Sequence, residues 1–192
     1  MTEIHIPARK SGRRPRFSAD DVVATALRLG IGTFSITAVS RELGVTNAAV
    51  YRRYPSHRAL VDECLSQALS EVSPPIGAPD REQTLRAAAA DWWAVCLRHP
   101  GIDAVVAGGE DAYCRLATGP FVDHARHLVS LGLTPDQANF ALTFMFAALG
   151  PLRPEPDPAQ FATRLDVILT GLTGAWNADT QPGERCPLAV GE

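Results

Sequence analysis

The chain of 192 residues is 46% hydrophobic, 20% charged and 7% aromatic, with four Cys and a formal net charge of −3. That length suits one or two domains around a real core and excludes a disordered chain or a disulfide-stapled miniprotein. The longest strongly apolar run, Phe140 to Gly150, is about half of what a bilayer-spanning helix needs, and the N-terminus lacks a secretory signal's apolar centre, so the expectation is a soluble, cytoplasmic protein without membrane contact.

Residues 1–16 show no hydrophobic periodicity and carry Arg9, Lys10, Arg13, Arg14, Pro15 and Arg16, which reads as a flexible basic arm. Ser18 then caps a predicted helix with Asp20 and Asp21 at its positive end and Val22, Val23, Ala26 and Leu27 on one apolar face; Gly30 and Gly32 end it. A short second helix follows Ser35, with Ile36, Val39 and Leu43 inward and Thr37, Ala38 and Arg41 outward, and Gly44 stops it. A third is predicted from Asn47 to Arg53, before Pro55. Ser56 caps a longer one, with Leu60, Val61, Cys64, Leu65, Ala68 and Val72 spaced three and four apart. The Pro- and Gly-rich break from Ser73 to Pro79 precedes a helix marked by Leu85, Ala89, Trp92 and Cys96 that ends near Pro100.

From Gly101 to Leu131 the pattern is broken at Gly108-Gly109 and Gly119-Pro120. Two strong starts follow, Thr134-Pro135-Asp136-Gln137 and Asp157-Pro158-Ala159-Gln160, each with a capping residue, Pro at the first helical position and Gln at the third. The first opens the apolar run to Gly150; the second opens a helix with Phe161, Leu165, Ile168, Leu169, Leu172 and Trp176. No sustained alternation argues for strands, so the fold is expected to be all-α. The expected organisation is a basic arm over 1–16, a unit of short helices over 17–60, a larger helical unit over 61–176 and a loose tail over 177–192.

The DNA-binding expectation begins with topology and charge. Two short helices joined by a Gly-containing turn form a helix-turn-helix candidate, a motif whose second helix enters the major groove. Residues 1–60 hold ten Lys+Arg against four Asp+Glu, a balance of +6, whereas residues 61–192 carry −9. The mildly acidic total therefore hides a basic module on an acidic body. Thr46, Asn47, Ala48 and Ala49 open the third helix with small or amide side chains that allow close approach to base edges. Asn47 suits paired hydrogen bonds to adenine, and the Ala methyls suit a thymine methyl. Tyr51, Arg52 and Arg53 supply donors for phosphates. Taken singly these features also fit an ordinary bundle: Tyr51 and Tyr54 as core residues, Arg52 and Arg53 as a solvated face.

The stretch from Phe17 to Leu60 resembles the DNA-binding region of the tetracycline-repressor (TetR) family of bacterial regulators. The residues that carry the resemblance are Ala26-Leu27, Gly30, Phe34-Ser35-Ile36, Val39-Ser40, Leu43-Gly44-Val45-Thr46, Ala49 through Ser56, and Ala59-Leu60. It covers about a quarter of the chain. The resemblance implies that Tyr51 meets a phosphate, that Asn47, Ala48 and Arg52 face the groove, and that Thr37 reaches a base or phosphate. It assigns Val39, Leu43, Val50 and Tyr54 to packing. Where the family commonly has a phosphate-contacting Lys after the Ser, this chain has His57, and that contact is expected to be weaker near neutral pH. The arm residues Arg13 and Arg14 are open to two readings, a minor-groove arm or a surface tail.

A reader of this size is expected to act as a homodimer on palindromic double-stranded DNA. The resemblance places the interface on the two C-terminal helices, with Phe140, Phe144, Ala148, Phe161, Leu165, Ile168 and Leu172 near it, though each of these also suits an internal core. It further implies a pocket for a small-molecule effector, for which Trp92, Trp93, Tyr113, Phe121, His124 and Met145 are the candidates. Neither cofactor nor metal is expected: Cys64, Cys96, Cys114 and Cys186 form no Cys-x-x-Cys, and no catalytic constellation stands out. The resulting expectation is a non-enzymatic, ligand-responsive transcription regulator, most simply a repressor. The alternative is an all-helical enzyme or small-ligand carrier whose N-terminal helices only resemble a DNA reader.

Overall fold

A computed structural model describes residues 17–108, 116–117, 119–149 and 157–177, with side chains as far as Gly174. The basic arm with Arg13 and Arg14, Tyr113, Cys114, Cys186, the side chain of Trp176 and the tail beyond Asn177 lie outside the described residues. Within them every regular element is a helix: α1 (Ala19–Leu29), α2 (Ile36–Glu42), α3 (Asn47–Tyr51), α4 (His57–Leu69), α5 (Arg81–Arg98), α6 (Ile102–Ala107), α7 (Val122–Ser130), α8 (Pro135–Leu149) and α9 (Pro158–Asn177). None of these is long and apolar enough to cross a membrane.

The helix starts follow from short polar side chains that satisfy the otherwise unpaired first-turn N–H groups. Ser18 and Asp21 cap each other reciprocally at α1, at 3.0 and 2.7 Å, and these bonds hold the Asp21 carboxyl below its ordinary pKa. Ser35, Thr46, Ser56 and Asp80 cap α2, α3, α4 and α5. Thr134 and Gln137 form the expected reciprocal box at α8, at 2.9 and 3.2 Å. At α9 the cap is made differently: Asp157 accepts from the Ala159 N–H, two residues on, at 2.9 Å. The third helix is shorter than its pattern, ending at Tyr51 rather than Arg53, where the Arg53 N–H tightens onto the Val50 carbonyl three residues back at 2.9 Å. Among the described residues, the broken region after Gly101 holds α6, α7 and a helical pair at Leu116-Ala117 that periodicity did not resolve.

In the N-terminal part α1 packs on α2 and α4, and α2 on α3. In the remainder α5 is the central member, touching α6, α7, α8 and α9, while α8 lies against both α7 and α9. One contiguous core joins the two parts, from Val22, Val39, Val50 and Leu60 to Leu85, Trp92, Phe121, Leu142 and Phe146. Three further contacts cross between them. The turn after α1 meets the start of α6 backbone to backbone: a Cβ placed on Gly32 would lie 3.5 Å from the Gly101 carbonyl, and one on Gly101 3.6 Å from the Gly32 nitrogen. Glu71, just past α4, pairs with Arg98 and accepts from His99 at 3.3 Å at the end of α5. The Ser73 N–H donates to Asp91 at 3.2 Å.

Candidate nucleic-acid interface

The turn between α2 and α3 fixes how those helices meet. Gly44 has φ +64°, the left-handed region that a Cβ disfavours, and this lets the chain reverse within a few residues. The Val45 N–H returns to the Ser40 carbonyl at 2.9 Å, and the Thr46 hydroxyl accepts from the Ala49 N–H at 3.3 Å to open α3. Ile36, Val39 and Val50 are buried, with Leu43, Val45 and Tyr54 packed beside them. The Tyr54 hydroxyl donates to the Ala19 carbonyl at 3.5 Å, and burial, then the charge of Glu63, raises its pKa. These residues therefore lie where the packing assignment put them.

With the apolar side turned inward, Thr37, Thr46, Asn47, Ala48, Tyr51, Arg52, Arg53 and His57 are all exposed. Arg41, one turn beyond Thr37 on α2, is exposed as well and extends the same helix face. Among the described residues neither Arg41, Arg52 nor Arg53 has an acidic partner, whereas Arg28 and Arg58 are paired with Glu42 and Asp62. Two contacts order this surface. Asn47 Nδ2 donates to Thr37 Oγ1 at 3.1 Å, and Arg52 Nε donates to the Ala48 carbonyl at 3.3 Å, which leaves the terminal guanidinium nitrogens outward.

His57 has partners within the chain. Its Nε2–H donates to the Phe34 carbonyl at 3.1 Å, and its ring lies on the Phe34 ring with centroids 4.7 Å apart. The side chain thus ties the start of α4 to the turn before α2, and only Nδ1 remains to face a ligand. That nitrogen donates to a phosphate only in the imidazolium form.

The effector candidates divide. Trp92, Phe121, His124 and Met145 are buried, and a series of ring contacts joins three of them through Phe146: Trp92 to Phe146 at 5.9 Å, Phe146 to Phe121 at 4.6 Å, Phe121 to His124 at 5.4 Å. Phe146 was missing from the candidates. Only its position on the opposite side of α8 from Phe140 and Phe144 marks it, and the apolar run from Phe140 to Leu149, interrupted only by Thr143, hides which side is inward. Trp93 turns elsewhere, its ring 4.3 Å from that of Phe161 on α9. Trp92 Nε1 and both His124 ring nitrogens have no hydrogen-bond partner among the described residues. Burial lowers the His124 pKa, His127 adds to that, and the carboxylates of Asp91 and Asp123 oppose it.

Of the residues placed near a subunit interface, Phe140, Phe144 and Ala148 are exposed, the two Phe rings stacked 5.7 Å apart. Leu165, Ile168 and Leu172 are instead buried within the chain, where α9 packs on α8 and α5, and Phe161 lies against Trp93. Cys64 and Cys96 are free and buried. Burial pushes the Cys64 thiol up to about 12 and raises Cys96 as well, so neither offers a thiolate near neutral pH. Among the described residues no three His, Cys, Asp or Glu side chains are grouped to hold a metal. In comparisons with known proteins, no family model, curated protein or solved structure matches the chain.

Proposed function

We propose that the chain is a DNA-binding transcription regulator of the tetracycline-repressor type, a homodimeric repressor that leaves a palindromic operator when a small-molecule effector binds. The observation that carries this reading is the α2–turn–α3 surface. Its packing residues point inward, and the residues suited to bases and phosphates stand together in solvent around Asn47, Tyr51 and Arg52. A helix so presented reads a major groove through its first residues, while cationic and hydroxyl side chains hold the phosphates.

The dimer part of the reading rests on the exposed, stacked Phe140 and Phe144, each 43% exposed, beside exposed Ala147 and Ala148. Large apolar side chains in solvent gain free energy when a second copy covers them. The effector part rests on the interior between α5, α7 and α8. A buried polar group without a partner costs roughly 1–3 kcal/mol, which a ligand recovers by bonding to it. The ring series from Trp92 to His124 suits a small, uncharged and largely apolar molecule that offers an acceptor to the indole N–H and a hydrogen bond to the neutral imidazole.

Selecting bound sequences from a random double-stranded pool tests the reading. The expected product is a palindrome whose affinity falls steeply with salt. Equal affinity for the best selected fragment and for random DNA at physiological salt would sink it, in favour of a helical ligand carrier or enzyme.

A further inference from the structure

Exposed Asn side chains usually sample several rotamers, and an amide that is free to turn cannot tell one base from another. Asn47 is not free in this way. It is the first residue of α3, and its Nδ2 donates across the turn to Oγ1 of Thr37, the second residue of α2, at 3.1 Å. Both side chains are exposed, so the bond links the outer surfaces of the two helices rather than their packed sides.

We propose that Thr37 is a positioning residue for base recognition: it holds the Asn47 carboxamide in the orientation that reads adenine. The inference rests on the DNA-binding reading above and adds to it the source of its base preference. A carboxamide has one carbonyl acceptor and two N–H donors. With one N–H engaged by Thr37, the carbonyl and the second N–H remain as an acceptor–donor pair. That pair complements adenine, whose major-groove edge offers the N6–H donor and the N7 acceptor. The reversed amide, with the Thr37 hydroxyl donating to Oδ1, would present two N–H groups and match the two acceptors of guanine instead. Thr37 therefore acts on the base through Asn47, in place of the direct base or phosphate contact expected from the sequence.

The test compares the full chain with Thr37→Val, Thr37→Ser and Asn47→Ala, each by selection from a random pool and then by affinity for the best site and for its adenine-to-guanine variants. The parent is expected to select an adenine at one position of each half-site. Thr37→Val, which keeps shape and loses the hydroxyl, is expected to lower the adenine-over-guanine preference there by about five-fold or more, the lower end of what a paired base contact discriminates. Thr37→Ser restores the hydroxyl and is expected to keep the preference within about two-fold of the parent. Asn47→Ala loses the preference outright. Thr37→Ala repeats the comparison if valine disturbs the helix.

Undiminished adenine preference in both Thr37→Val and Thr37→Ala overturns the proposal. So does a loss of affinity that is the same for every sequence, since Thr37 would then be a backbone contact. A parent chain with no sequence preference at all brings down the regulator reading itself, a result distinguishable from either.

Discussion

Tyr51, the last residue of α3, and Arg52, its C-cap, are both exposed and differ in what they can give a phosphate: a neutral hydroxyl and a fixed positive charge. Arg52→Ala is therefore expected to weaken binding to all sequences alike and to reduce the salt slope of log affinity by about 1 per contact. Tyr51→Phe is expected to weaken binding with the slope unchanged. Titrations over a series of salt concentrations separate the two, and equal slopes for both variants would remove Arg52 from the phosphate face. His57 presents a different balance. Replacing it by Lys adds a mobile charge where the imidazole now donates to the Phe34 carbonyl and lies on the Phe34 ring. His57→Lys is expected to raise operator affinity at neutral pH and to lower unfolding stability by about 0.5–1.5 kcal/mol, the scale of a lost ring contact. An affinity no better than the parent's at every pH would show that this position makes no phosphate contact.

At the scale of elements, His124 links α7 to the packing of α5 and α8 and makes stability depend on pH. In the unfolded chain an imidazole takes up its proton near about 6.5. In the folded chain burial lowers the pKa, so the native state binds fewer protons. Stability is thus fully present above the unfolded value and is lost as pH falls from there through the folded value. Denaturant melts of His124→Phe between about pH 7 and 5 are expected to show a flatter decline than the parent; parallel curves would sever the decline from this residue. The same residue explains part of what the sequence concealed. A polar side chain on the buried side of α7 interrupts the apolar pattern, and α6, at six residues, has too few turns to establish one. The caps were legible, because Ser18, Ser35, Ser56 and Thr134 each act on an N–H group three residues away. The exposed set on α3 was legible for the same local reason. The Thr37–Asn47 bond was not, since it depends on how two helices cross. Nor was the burial of Leu165, Ile168 and Leu172, because an apolar stripe does not say whether its partner is the same chain or another.

For the whole molecule, the division of charge and the exposed aromatic pair fall on different parts of the chain. The +6 segment contains the α2–α3 surface, and the −9 remainder contains Phe140 and Phe144. Glu at both Phe positions is expected to leave helix content intact, because these rings stand in solvent and support little of the internal core. It is also expected to convert the protein to a monomer and to reduce affinity for the palindrome to that for a half-site. Analytical ultracentrifugation with and without DNA reads both effects. A double variant that sediments as a dimer would move the interface away from α8.

Gly32 and Gly101 meet backbone to backbone, with the Val105 side chain beside them. Side chains absorb small displacements by changing rotamer; main chain against main chain has no such slack. The seat where the turn before α2 rests on the start of α6 is therefore a stiff bearing between the basic segment and the acidic body. A methyl on Gly32 would meet the Gly101 carbonyl and the Val105 side chain at ordinary contact distance, and a larger group would press the turn before α2 away from the start of α6; Gly101, at φ +88°, takes no side chain without strain.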